Sequence, residues 1–360
     1  MTRTLGLALS DGGSRAAAFH LGCLRALNDR DLLDRIRVVP GISGGCLLAA
    51  LWAYGPSDFT DFDTRTTDLL RSGLQLGIAR QAFKPSAAAR NLTAAARAGT
   101  RGLLSRRGGV SVARPANRTD ALAAVLTHKA FGTTTMADVM HPGLDIVLTA
   151  TDLATTNAVR FGSTRSGCSR HGTITEPIHV ATAVAAFLPA LERTFTFQHG
   201  DGHHEQHTVL LTDGGVYDNL GLSVLEPGRS PHHTQHVYDV PFIISCDAGL
   251  GELALRARHF MLGRLSCSFA TVHRKAQDSA RFRLHEWAAS GRIDGFALAY
   301  LGMKDDRLPA PPADLVPRSA VAYYPTNFAA MARSDFEVIT TRGEQLMRTV
   351  LPMYLRPAHR

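Results

Sequence analysis

The sequence predicts an α/β fold built on a mainly parallel sheet, and two observations carry that prediction. The first is a pair of strand-turn-helix units within the opening 54 residues; consecutive units of this kind stack their strands side by side and their helices on the faces. The second is a set of later apolar segments at Asp145–Thr151, His207–Thr212 and Pro241–Cys246, each ending near an acidic residue. The length of 360 residues, with 45% hydrophobic and 19% charged side chains, supports one large core and excludes a mainly disordered chain.

In chain order, Thr4–Leu9 reads as a short buried strand that breaks at Ser10-Asp11-Gly12-Gly13-Ser14 before a helix over Arg15–Asn28. Leu21, Leu24 and Leu27 share one face of that helix. Ile36–Val39 is the second strand, Pro40-Gly41 ends it, and Gly44–Tyr54 is again helical. Residues 57–130 lack strand signals and read as a helical insertion. Pro177–Leu188 is a small-residue helix that Pro177 can start in its first turn. Leu308–Pro317 is a loop and Ser334–Tyr354 a closing amphipathic helix. With no repeat and no linker, the expectation is a single domain over 1–360, with 250–360 as a C-terminal extension packed on it.

Three turns carry chemistry. Gly41-Ile42-Ser43-Gly44-Gly45 fits G-x-S-x-G between a predicted strand and a predicted helix. That setting strains the serine's backbone and demands small neighbours, and it puts the hydroxyl at the positive end of a helix. Asp11-Gly12-Gly13-Ser14-Arg15 follows the first strand, and its glycines expose consecutive amides that can converge on an oxyanion. A nucleotide-binding turn is the competing reading, yet G-x-G-x-x-G fails because Asp11 and Ala16 stand where its outer glycines belong, and no P-loop motif occurs. Thr212-Asp213-Gly214-Gly215 places a carboxylate between an apolar strand and two glycines; alone it is an ordinary turn.

In this order and spacing the three turns resemble the patatin-like phospholipase family. Leu7–Arg15 looks like its oxyanion segment, Gly41–Gly45 like its nucleophile elbow, and Asp213-Gly214-Gly215 like its Asp-Gly-Gly/Ala motif. Weaker matches lie at Ala150-Thr151-Asp152-Leu153 and over Ala181–Pro189, so the likeness spans about Leu5 to Gly249. One departure is Ala16, where the family usually has glycine; the other is that only two adjacent glycines remain in the oxyanion segment.

The resemblance implies a three-layer α/β/α fold with a helical insertion, and a phospholipase A-type acyl hydrolase that needs no cofactor and no metal. It implies a dyad in which Ser43 attacks the ester carbonyl and Asp213 accepts its proton. The amides around Gly12, Gly13 and Ser14 would hold the oxyanion, with Arg15 supporting the loop or drawing an anionic headgroup. Asp11, Gly41, Gly44, Gly45, Gly214 and Gly215 would shape the turns. A carboxylate is a weak base for a hydroxyl, so the Asp213 pKa must be raised by partial burial.

The 16 histidines raise the competing possibility of a Ser-His-Asp triad. His199, His203, His204 and His207 surround a Gly-Asp-Gly turn, and His204-Glu205-Gln206-His207 is one residue short of H-E-x-x-H; the cluster reads as a polar hairpin loop, with metal binding as the lesser alternative. His232, His233 and His236 read as loop, and His20 as a helix or core residue. Asp152 and Asp247 also follow apolar strands, and Asp152 ranks second to Asp213 as the base because neither has the double glycine. Five scattered cysteines without a C-x-x-C pair predict buried thiols rather than disulfides or zinc ligands.

Net charge is +8, with ten Lys and Arg and no acidic residue between Asp68 and Asp120. This segment reads either as a lid that meets an anionic membrane surface or as a solvated helical insertion. Nucleic acid is disfavoured because Phe83 is its one aromatic and stacking platforms are missing. No apolar run reaches the length of a membrane span, and Met1–Leu9 runs into a glycine turn instead of a leader-like stretch. The expectation is a cytoplasmic protein, peripheral at the membrane, acting on phospholipid or another acyl ester. The alternatives are a soluble esterase or thioesterase, a gated effector, and a non-catalytic lipid-binding regulator.

Overall fold

The computed structural model describes residues 4–82, 118–187, 191–232, 234–251 and 260–355. The first predicted units are present as β1 (Leu5–Leu9), α1 (Gly13–Asn28), β2 (Ile36–Ile42) and α2 (Gly44–Ala53). The helices α3 (Phe59–Ser72), α4 (Gln75–Ala82) and α5 (Arg118–Leu126) come next, followed by the strands β3 (Asp145–Asp152), β4 (Asn157–Gly162), β5 (Ser166–Cys168) and β6 (Gly172–Ile174). A short α6 (Val180–Ala185) precedes β7 (Leu191–Gln198), β8 (His204–Asp213) and β9 (Phe242–Asp247). The long α7 (Met261–Ala289), β10 (Gly295–Tyr300), the single turn α8 (Arg318–Val321) and α9 (Arg333–Tyr354) complete the order. Residues 83–117, which carry most of the arginines expected in the basic insertion, lie outside the described residues.

The ten strands form one mixed sheet in the order β10-β9-β1-β2-β3-β4-β5-β6-β7-β8. From β10 to β3 every pairing is parallel; from β3 onward every pairing is antiparallel. The antiparallel half curls back, because β8 also pairs with β3. One edge of β3 is taken by β4 along its whole described register, from Val147↔Gly162 to Asp152↔Asn157. The other edge is shared: β2 pairs as far as Ile42↔Thr149, and β8 takes over at Ala150↔Asp213. The carboxyl ends of β2 and β8 therefore meet head-on at adjacent positions of β3.

Strand side chains alternate between two cores because successive residues point to opposite faces of a sheet. Leu5, Leu7 and Leu9 of β1 and Phe242, Ile244 and Cys246 of β9 face the larger core, with α1, α2 and α9. Ala8, Val38, Val147 and Ile243 face a smaller one closed by Leu220–Leu225 and by Ala280, Leu284 and Trp287 of α7. These are the three layers of an α/β/α arrangement, and they explain the near-continuous apolar strands: a sheet covered on both faces has no side to leave polar.

The tightest helix contact is between α1 and α9. A Cβ on Gly22 would come within 2.0 Å of the Thr340 carbonyl oxygen, and one on Gly343 within 2.3 Å of the Phe19 carbonyl oxygen. Gly22→Val is thus expected to force the two helices apart and to cost about 3 kcal/mol or more by overpacking. Denaturant unfolding of the purified variant checks this; an unchanged midpoint would show that the crossing tolerates bulk.

Candidate active site

Each of the three sequence turns closes a strand at the same place. Ser43 follows β2 and carries φ 52° and ψ −114°, a conformation that a side chain other than glycine's adopts only under strain. Its hydroxyl makes no cap for α2, although the residue occupies the N-cap position. It lies near enough to the Asp213 carboxylate to lower that group's pKa. Ser43 is 4% exposed, so the nucleophile candidate is buried.

Close backbone approach joins the turns. A Cβ on Gly44 would stand 2.1 Å from the Gly13 carbonyl oxygen, so only glycine allows the elbow to touch the first turn. A Cβ on Gly215 would stand 2.8 Å from Asp11 Oδ2 and 3.2 Å from Asp213 Oδ1, which ties the third turn to the first. Gly41 lies within β2, Gly45 in the first turn of α2, and Gly214 opens the short 3-10 turn after Asp213.

The environment of Asp213 raises its proton affinity. Burial and the neighbouring Asp11 carboxylate push its pKa up to about 6, while the Gly215 amide and the Ser43 hydroxyl act to lower it. The Gly215 amide donates to Asp213 Oδ1 at 2.8 Å, which fixes the carboxylate plane. Asp152 and Asp247 are committed elsewhere. Asp152 accepts from Leu210 N at 2.9 Å, Ala154 N at 3.2 Å and Thr155 Oγ1 at 2.6 Å. Asp247 is fully buried, accepts from Gly249 N at 2.7 Å and pairs with Arg281 at 2.6 Å.

Gly12 is the N-cap of α1 at φ 136°, and Gly13 opens the helix at φ 62°. Their amides lie where the helix dipole is positive. The Ser14 amide is already used: it donates to the Asn327 carbonyl at 2.8 Å. Of the amides expected to face an oxyanion, this one is committed to the chain's own backbone in the described conformation. Arg15 is buried, and its Nη1 donates to the Tyr324 carbonyl at 3.0 Å, so it braces the same crossing segment.

No sequence motif marked His273. It lies on α7, and its Nε2 is 2.8 Å from Asp11 Oδ2; that hydrogen bond raises its pKa above the usual histidine value. Phe269, Ala270 and Gln277 of the same helix join it, with Thr326, in closing a cavity of about 450 Å³ over Asp11, Gly12, Arg15, Asp213 and Gly215. Arg281 stacks 3.8 Å from the Tyr300 ring centroid and anchors α7 to the sheet through Asp247. These residues come from a stretch with no distinctive spacing, which is why only the folded chain brings them to the site.

The other histidines lie apart. His20 is fully buried, 3.4 Å from Ser10 Oγ, and burial lowers its pKa to about 3. His236 is buried near Arg160, also with its pKa lowered to about 3 by burial. His199 and His203 flank the β7–β8 turn, and His204 and His207 lie on β8, as a polar hairpin requires. Cys23, Cys46, Cys168 and Cys246 are buried free thiols and Cys267 is half-buried. Among the described residues no helix is long and apolar enough to cross a membrane.

A patatin-like phospholipase family model matches residues 7–225. No curated protein sequence matches the chain. The structure is similar to human GIVD cytosolic phospholipase A2, with a TM-score of 0.56 and 12% identity over 96% of this chain and 61% of that one. The same human protein bound to methyl γ-linolenyl fluorophosphonate aligns with a TM-score of 0.53 at 13% identity, covering 96% of this chain and 57% of that one. At such identities the likeness shows the fold. This chain spans less than two thirds of the length of those relatives.

Proposed function

The chain belongs to the patatin-like phospholipase family, and from that premise we propose that it is a lipid acyl hydrolase with Ser43 as nucleophile and Asp213 as proton acceptor. The observation that carries the reading is the head-on meeting of β2 and β8 on β3, which sets the Ser43 hydroxyl against a carboxylate whose pKa is near 6. Asp213 takes the hydroxyl proton as Ser43 Oγ attacks the ester carbonyl. The Gly12 and Gly13 amides, backed by the α1 dipole, hold the oxyanion. Collapse breaks the ester C–O bond, and the departing alcohol takes the proton from Asp213. Water then attacks the acyl-enzyme as Asp213 takes its proton, and Asp213 returns that proton to Ser43 Oγ as the acyl C–O bond breaks and the fatty acid leaves.

The surface beside the cavity supports phospholipid in a membrane as the substrate. Met261, Leu265, Phe269 and Val272 recur at helical spacing along the exposed side of α7 and are 57–73% exposed, and Phe269 also lines the cavity. An apolar ridge of this kind, flanked by Arg264 and Lys275 on a chain of net charge +8, fits an anionic lipid surface. The ridge supports α7 as a membrane-contacting element in addition to the basic segment 69–119, most of which lies outside the described residues.

The test is incubation with vesicles of mixed zwitterionic and anionic phospholipid, followed by mass spectrometry of the products. Free fatty acid with the matching lysophospholipid is expected; turnover of short-chain soluble esters with vesicles left intact would replace the reading by a soluble esterase. Labelling by a fluorophosphonate probe should fall on Ser43, and absence of label would favour a non-catalytic lipid-binding role. Leu265→Asp combined with Val272→Asp is expected to lower vesicle binding at least about tenfold while short-ester hydrolysis persists, since two buried aliphatic side chains are together worth about 3 kcal/mol or more of transfer. Vesicle sedimentation measures the first and a chromogenic ester the second.

A further inference from the structure

We infer that the tip of the β7–β8 hairpin is a binding site for one zinc-class divalent cation, with His199, Glu205 and His207 as ligands. Nothing in the acyl-hydrolase reading uses these residues, and the inference stands independently of it. The hairpin runs Phe197↔Glu205 and Phe195↔His207 in register, so Glu205 and His207, two apart on β8, point to one face. His199 lies beyond Gln198 at the end of β7, with the parity of Phe197 and Phe195, and so joins the same face. The turn holds it there: the His199 amide donates to the His203 carbonyl at 2.8 Å, and the Gly202 amide donates to the His199 carbonyl at 2.9 Å.

The donor atoms converge. His207 Nε2 is 3.2 Å from Glu205 Oε2, and His199 Nε2 is 3.8 Å from the same oxygen. One ligand atom from each of the three residues falls within 4.8 Å of the others. Nitrogen and oxygen ligands held at about 2.0–2.2 Å in a tetrahedron lie about 3.4 Å apart, so two of the three separations already bracket a coordination edge. A simple ion pair accounts for one histidine on the carboxylate and not for two ring nitrogens aimed at one oxygen. The His199 Nε2 atom is enclosed and makes no hydrogen bond among the described residues, which leaves a buried polar atom without compensation. The His171 ring packs against the His207 ring, with centroids 4.2 Å apart.

Two imidazoles and one carboxylate suit zinc and its first-row neighbours and disfavour magnesium and calcium, which take oxygen ligands. Water would complete the shell. The six residue steps from His207 to Asp213 span about 20 Å of extended strand, which keeps the ion away from the candidate dyad. Its role is a clasp: it pins the free end of the hairpin whose other end delivers Asp213 to Ser43.

The experiment uses the full chain without an affinity tag, stripped with a chelator, then supplied with zinc chloride and desalted. One zinc per chain is expected by elemental analysis, together with a rise in melting temperature that magnesium chloride does not reproduce. His199→Ala with His207→Ala should weaken binding at least about 100-fold, and Glu205→Gln at least about tenfold. His128→Ala, an exposed histidine elsewhere, should leave stoichiometry unchanged. Circular dichroism and the zinc-free denaturation midpoint establish that the variants fold. Failure of the wild-type chain to retain zinc at micromolar concentration, or full retention by the folded double variant, would overturn the site.

Discussion

Asp213→Asn is expected to lower acyl-ester turnover at least about 1,000-fold while making the folded protein more stable at neutral pH. The loss follows from removing the proton acceptor: an amide oxygen in the same position keeps the hydrogen bond from Gly215 and cannot take a proton from Ser43. General bases contribute roughly 10²–10⁴ in rate, and the two other strand-ending carboxylates, Asp152 and Asp247, are held by other donors. The stability gain follows from the pKa. Burial and Asp11 raise the Asp213 value from 3.8 to about 6, so the folded state holds a proton that the unfolded chain gives up more readily. Stability therefore falls as pH rises from about 4 to 6 and stays lower above that range, by on the order of 3 kcal/mol at pH 7 for two pKa units. Asparagine carries no charge and avoids that cost. Thermal unfolding at pH 7.5 should show a higher melting temperature for the variant, and the two proteins should converge toward pH 4. For the wild type, kcat/KM should rise with pH through a midpoint near 6, since only the ionised carboxylate accepts the proton. A profile governed by a group near 7.5, or a variant that keeps most of its activity, would remove Asp213 from this role.

Ser43→Ala is expected to remove fatty-acid release entirely, by about 10,000-fold or more, because no covalent intermediate can form without the hydroxyl. Its stability should change little, as alanine inherits the same positive φ. Ser43→Gly separates the chemical from the conformational part. It should be as inactive as the alanine variant yet more stable by about 1–2 kcal/mol, since φ 52° and ψ −114° is open to glycine and strained for anything with a Cβ. In the proposed mechanism this strain turns the hydroxyl toward Asp213, and the side chain makes no cap for α2. Combining Ser43→Ala with Asp213→Asn should cost no more activity than Ser43→Ala alone, because groups that act on one proton transfer do not add. Fatty-acid release from vesicles and unfolding in denaturant measure the two halves; equal stability of the glycine and alanine variants would show that the elbow is unstrained.

The parallel half of the sheet was legible because its strands are buried on both faces and read as short apolar runs. β1, β2, β3 and β9 were all placed this way, with α1, α2 and α9 beside them. The strands β4, β5 and β6 were not. They are three to six residues long, contain Gly and Ser, and owe their pairing to neighbours rather than to their own composition. β10 and α7 were missed for a different reason: the apolar positions of α7, exposed at Met261, Leu265 and Phe269 and buried at Ala280, Leu284 and Trp287, are spaced thinly among polar and charged residues.

By itself the sequence determined the fold class and the family, since the three glycine-bearing turns that carry the resemblance are each local patterns in a few consecutive residues. Only the tertiary structure decided their partners. The sharing of one β3 edge by β2 and β8, the Asn327 carbonyl on the Ser14 amide, and His273 of α7 on Asp11 join residues that lie far apart in the chain. Such contacts leave no periodicity for a sequence to display, because the energy that selects them comes from burying both faces of the sheet at once.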